Sequence, residues 1–162
     1  MAKVYGLKQC YVPVRETYSQ TIISYSMTSE PDGVHATWYE VYFNKKEVQK
    51  PSLEQIKDAV ISDINARVKD NIISGFVWNG KPVWLSEENQ MNFAQGVAPV
   101  TLKIGEESDN TPIYQSFGTT EELKAFSDAC TLYKQQCLSN GYAEKDNIDW
   151  SPYEEALEKL NA

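Results

Sequence analysis

The chain is poor in the side chains that most catalytic and metal-binding chemistry requires. Its 162 residues include one histidine, His35, so a serine–histidine, cysteine–histidine or histidine-rich metal mechanism would rest on a single imidazole. His35 has no HxE or Cys/His companion and reads as an ordinary strand histidine. Cysteine is scarce too: Cys10, Cys130 and Cys137, with no CxxC. Cys130 and Cys137 would stand two helical turns apart, about 10 Å, beyond disulfide reach, so reduced, partly buried thiols are expected. Walker loops, dinucleotide glycine fingerprints, GxSxG elbows, HExxH and calcium-loop patterns are all missing. No apolar run approaches the roughly 20 residues of a membrane span, and the opening MAKVYGLKQCYVPVRE reaches Lys8 and Arg15 before a signal-peptide core develops. Synthesis in a cytoplasm is the expectation. Basic residues number 15 against 23 acidic ones, a net charge of -8, which lacks the footprint of a nucleic-acid or anionic-membrane binder. Neither partner is expected, nor a cofactor or small-molecule substrate.

What is present suggests an ordinary folded domain, with 41% hydrophobic and 23% charged residues. Residues 1–30 are rich in Tyr, Ser, Thr and Val but show only fragments of alternation, which suggests an extended arm. The turn signal EPDG precedes VHATWYEVYF, a strand with large side chains on both faces and therefore covered on both sides. Ser52 and Gln55 have capping-box spacing, and Leu53, Ile56, Val60, Ile64, Val68 and Ile72 make one apolar stripe down a helix that Gly75 can end. FVWNGKPVW reads as a hairpin with a tight Asn79-Gly80 turn, pairing Trp78 with Lys81, Val77 with Pro82 and Phe76 with Val83. Phe76, Trp78 and Trp84 are expected to be core, packed under the preceding helix. Ser86 caps a short helix to Gln95, a strand-loop-strand follows, and Thr119 or Thr120 opens a helix ending at Asn140-Gly141. Ser151-Pro152 opens the last one.

Carboxylates are abundant enough for a two-acid hydrolase, but Glu87-Glu88 and Glu121-Glu122 complement helix N-termini, and Glu106, Glu107 and Asp109 belong to a solvent loop. Only Glu40, inside an aromatic strand, needs a special partner. Tyr39, Tyr42 and Phe43 of the same strand become interface candidates if one face lacks cover.

The order of a long helix ending GF, an F-x-W-N-G-K hairpin, a short Ser-capped helix and TTEELKAFSDACTLYKQQCLSNGY resembles an uncharacterised domain family. That family lies at the C-termini of phage and prophage tail-associated proteins, especially in phages of gut Bacteroides-type bacteria. The resemblance covers about residues 52–148 and supplies no catalytic residues. It implies a non-enzymatic virion component located in the tail region, with other virion proteins and copies of itself as partners. A leading part of about 50 residues suits an adaptor or ring subunit of tail, neck or baseplate better than a fibre. The alternatives are a chaperone-like fibre assembly factor absent from the mature particle, and a carboxylate-based cell-wall hydrolase.

The expected fold is α+β: two main amphipathic helices packed on a β-hairpin and short strands, with an extended β-rich N-terminal arm. The expected division is 1–50 as assembly connector, 51–148 as body and 149–162 as a short terminal helix. Contacts are expected from Tyr5, Tyr11, Tyr18, Tyr25, Tyr39, Tyr42 and Phe43.

Overall fold

The computed structural model describes Ala2 to Ala162. Its elements are β1 (Ala2–Leu7), a 3-10 turn (Lys8–Cys10), β2 (Val14–Glu16), β3 (Gln20–Ser29), β4 (His35–Asn44), α1 (Leu53–Ser74), β5 (Phe76–Trp78), β6 (Lys81–Val83), α2 (Glu87–Gln95), β7 (Val100–Glu106), β8 (Pro112–Phe117), α3 (Thr120–Asp146) and α4 (Ser151–Asn161). The fold is α+β. Two compact units result, one from the residues up to Ile64 with Ala143–Ala162, the other from Asn65–Tyr142. Where the sequence reading divided the chain at element boundaries near 50 and 148, this division falls inside α1 and α3.

In the first unit the N-terminal residues are β-rich, as expected, but they are not an arm without a face. They form an antiparallel four-stranded sheet in the order β1-β4-β3-β2. Alternation is obscured because the central strand has no solvent side: Thr21, Ile22, Ile23, Ser24 and Tyr25 are buried in succession. On β4 the alternation is clean, with Ala36, Trp38 and Glu40 buried and the residues between them half-buried. The β3–β4 register slips after Tyr25↔Tyr39 and resumes at Thr28↔Thr37, so Ser26 and Met27 stand opposite Trp38 alone. Ser26 adopts φ +53, the left-handed conformation found in one class of such bulges. On α1, Ile56, Val60 and Ile64 are fully buried, and Asp63 accepts the Tyr25 hydroxyl, which ties helix to sheet. Tyr153 of α4 is buried and donates to the Ser24 carbonyl at 2.6 Å.

From α1 to α2 most expected elements are kept. The α1 cap is reciprocal, Gln55 N–H to Ser52 Oγ and Ser52 N–H to the Gln55 side chain, and the helix stops at Ser74 before Gly75. The hairpin has the expected register, with Asn79 and Gly80 at positive φ. Ser86 caps α2 by accepting from Asn89 N–H. The hairpin's aromatic partner, however, is α3: Trp78 meets Phe126 edge-on at 5.4 Å and Phe76 stacks on Tyr133 at 5.0 Å. Phe126 is the hub, since Phe93 and Phe117 also lie 5.0 Å from it. Trp84 is not core; its side chain is exposed while its backbone N–H donates to Ile104 on β7.

Helix α3 does not end at Asn140-Gly141 but runs on to Asp146. Gly141 is buried mid-helix because a Cβ there would stand 2.5 Å from Cγ2 of Val68 on α1. Its role is close approach, so a cap signal was misassigned. Overpacking against stiff, β-branched Val68 should outweigh the roughly 1 kcal/mol that alanine gains over glycine in a helix, so Gly141→Ala is expected to destabilise by about 1–2 kcal/mol. In a Val68→Ala background the same change should stabilise. Urea denaturation of the four proteins checks this reversal, and the same sign in both backgrounds would refute the close approach.

Candidate functional site

The interface candidates differ in exposure. Tyr25 is interior, with its hydroxyl on Asp63 and its ring stacked 5.7 Å from Tyr39, so its assignment to a contact surface is corrected. Tyr39 and Phe43 are half-buried. Tyr11 is also half-buried, its hydroxyl donating to Ser24 at 3.2 Å and its ring set edge-on to Trp38 at 5.6 Å. Tyr5, Tyr18 and Tyr42 remain exposed, at 63%, 103% and 42%.

Glu40 has the partners a buried carboxylate needs. Oε1 accepts from the Trp38 indole at 3.2 Å and from Arg15 at 3.4 Å, while Oε2 accepts from the Tyr42 hydroxyl at 2.9 Å. Burial, and then the Glu40 carboxylate, push the Tyr42 phenol above its usual range. These bonds make Glu40 the polar centre of one sheet face. His35 is likewise engaged: Nδ1 lies 2.6 Å from Asp32 Oδ2, and its ring stacks on Tyr5 at 5.1 Å. Asp32 Oδ1 accepts from the N–H groups of Val34 and His35, and the His35 bonds chiefly hold its carboxyl down to about 2. The pair therefore closes the β3–β4 turn. Burial pushes the Cys130 thiol up to about 12, unsuited to a nucleophile. Among the described residues no group of three or more His, Cys, Asp or Glu is arranged to hold a metal ion, and no helix is long and apolar enough to cross a membrane.

Two features of the first unit are open to ligands. One is the free edge of β1. Lys8 N–H donates to Val34, which fixes the hydrogen-bonded pairs of the β1–β4 ladder as Gly6↔Ala36, Val4↔Trp38 and Ala2↔Glu40. The backbone groups of Lys3, Tyr5 and Leu7 therefore point away from β4, and their side chains are exposed. No described strand pairs with that side. The opposite edge, β2, is three residues long and preceded by Pro13, so it is blunted.

The other feature is a cleft of about 650 Å³ beside the bulge, lined by Tyr11, Tyr39, Tyr153, Met27, Ile148 and Asp149 among others. Sequence reasoning missed it. Ser26 carries no glycine to advertise its positive φ, and Tyr11, Tyr39 and Tyr153 are far apart in the chain. Comparison with protein-family models, curated proteins and solved structures finds no match to this chain.

If Glu40 is structural, Glu40→Ala should cost about 1–3 kcal/mol, because the buried indole N–H loses its acceptor. Arg15→Ala, removing a half-exposed partner, should cost under about 1 kcal/mol. Urea titration ranks the two, and equal small effects would show that the network is dispensable.

Proposed function

We propose that the chain is a non-enzymatic structural subunit of a phage or prophage virion, an adaptor or ring component of tail, neck or baseplate, made in the host cytoplasm. It joins neighbouring chains, copies of itself included, by strand addition to β1. The observation that carries this reading is the outward row of backbone donors and acceptors on Lys3, Tyr5 and Leu7, flanked by the exposed side chains of Tyr5, Leu7 and Val34. Long exposed edges of this kind are otherwise covered or blunted in natural sheets. The resemblance over residues 52–148 supplies the virion setting. Two copies paired antiparallel through β1 close as a twofold pair; extension into a ring uses a second surface.

Tyr5→Pro is the informative variant. It removes an outward N–H without touching the ladder to β4, a position where an edge strand tolerates proline. In size-exclusion chromatography with light scattering, the wild type is expected above the monomer mass of 18.4 kDa, and Tyr5→Pro at that mass with an unchanged circular dichroism spectrum. Identical masses for the two proteins would contradict strand addition. Mass spectrometry of purified particles tests the virion setting: detection supports it, and presence in infected cells but not in particles points to a transient assembly factor instead.

A further inference from the structure

Strand addition to β1 needs an occupant, and the chain has a second open edge that fits it. Strand β7 has β8 on one side, and on the other its Ile104 carbonyl accepts the Trp84 N–H. The far side of β8 pairs with no described strand. Glu107 N–H donates to the Thr111 carbonyl at 2.9 Å, which fixes the parity of β8. The backbone groups of Thr111, Ile113, Gln115 and Phe117 face β7, and those of Pro112, Tyr114 and Ser116 face outward. The outward residues also have exposed side chains, whereas Ile113 and Phe117 are buried. Pro112 has no N–H to donate and stands where only an edge strand admits proline.

The two edges match in rings and in charge. Tyr5 is 63% exposed at the centre of one and Tyr114 is 60% exposed at the centre of the other. Residues 1–15 include Lys3 and Lys8 and no acid; the first acid, Glu16, lies on the opposite edge strand, β2. Asp32, in the turn that the Lys8 N–H reaches, is engaged by the His35 ring at 2.6 Å. Residues 104–123 carry Glu106, Glu107, Asp109, Glu121 and Glu122 and no base. The lysines beside β8 are taken up, Lys103 by Glu106 at 2.7 Å and Lys81 by Gln115 at 3.3 Å.

We infer, on the reading of β1 as an assembly edge, that its occupant is β8 of a second copy, antiparallel, with Tyr5 opposite Tyr114, Lys3 opposite Ser116 and Leu7 opposite Pro112. Tyr5 and Tyr114 then exchange both backbone bonds and form a cross-strand aromatic pair. A slip of two residues leaves an outward residue on each strand unpaired. The exposed rows of the two strands share one face, and the half-buried Ala2, Val4 and Gly6 continue the buried row of Ile113 and Phe117. Lys8 falls opposite Thr111, beside the acidic turn of Glu107 and Asp109. A β1–β1 pair covers neither Tyr114 nor the outward groups of β8. Each copy keeps one edge of each kind for its next neighbour, and such a head-to-tail contact closes into a ring when the rotation allows.

Complementation tests the pairing. Tyr114→Pro removes an outward N–H and spares the ladder to β7, as Tyr5→Pro does at β1; Ser116→Pro takes its place if Tyr114→Pro loses the wild-type circular dichroism spectrum. In size-exclusion chromatography with light scattering, each variant alone is expected at the monomer mass of 18.4 kDa. Their equimolar mixture is expected at twice that mass, since Tyr5→Pro keeps β8 and Tyr114→Pro keeps β1, and the wild type above it. Tyr114→Pro at the wild-type mass, or a mixture that stays monomeric, would overturn the pairing with β8 while leaving strand addition to β1 standing. Tyr5→Pro at the wild-type mass, or a monomeric wild type, would contradict the role of β1 itself and this pairing with it.

Discussion

The burial of β3 on both faces is the constraint from which the first unit follows. A strand whose consecutive residues Thr21 to Tyr25 all leave water must lie inside a sheet, with cover above and below. Asp63 of α1 and Tyr153 of α4 bind it through the Tyr25 hydroxyl and the Ser24 carbonyl. Lateral pairing is then filled by β4 and the short β2, which leaves β1 outermost and its far edge open. The cover ends at Tyr25, and the bulge at Ser26-Met27 lies where the strand emerges, with Met27, Thr28 and Ser29 exposed.

The second unit depends on rings and on absent side chains. Phe126 gathers Trp78, Phe93 and Phe117 within aromatic contact distance, so the hairpin, α2 and β8 share one anchor on α3. Glycine leaves room for close contacts, at Gly141 against Val68 and at Gly75 against the Tyr133 hydroxyl. Tyr133 donates to the Asn71 carbonyl at 2.6 Å beside the Gly75 N–H at 2.9 Å, so the last turn of α1 is tied to α3.

Local signals were readable in the sequence where one short stretch contains all the physics. The Ser52–Gln55 box, the Asn79-Gly80 turn with its full register and the Ser86 cap each involve only a few neighbouring residues. Signals whose meaning depends on distant partners were misread. Gly141 looks like a helix stop until Val68 is placed beside it, and Trp84 looks like core until α3 takes the hairpin. Residues 20–25 hid their strand because two-sided burial erases the alternation that marks a sheet face. Of the candidate contact residues, Tyr5, Tyr18 and Tyr42 lie exposed, Tyr25 is interior, and Tyr11 and Tyr39 form cleft walls. Asp149 and Met27 gave no signal, since nothing in their neighbourhoods points to a shared cleft.

The free edge of β1 is the claim on which assembly rests, and amide hydrogen exchange reads it residue by residue. Val4 and Gly6, whose N–H groups face β4, serve as internal controls. At low protein concentration Tyr5 and Leu7 should exchange freely while Val4 and Gly6 are protected. As concentration rises, protection at Tyr5 and Leu7 should approach that of the controls. Free exchange at Tyr5 and Leu7 at every concentration, with the controls still protected, would contradict the account.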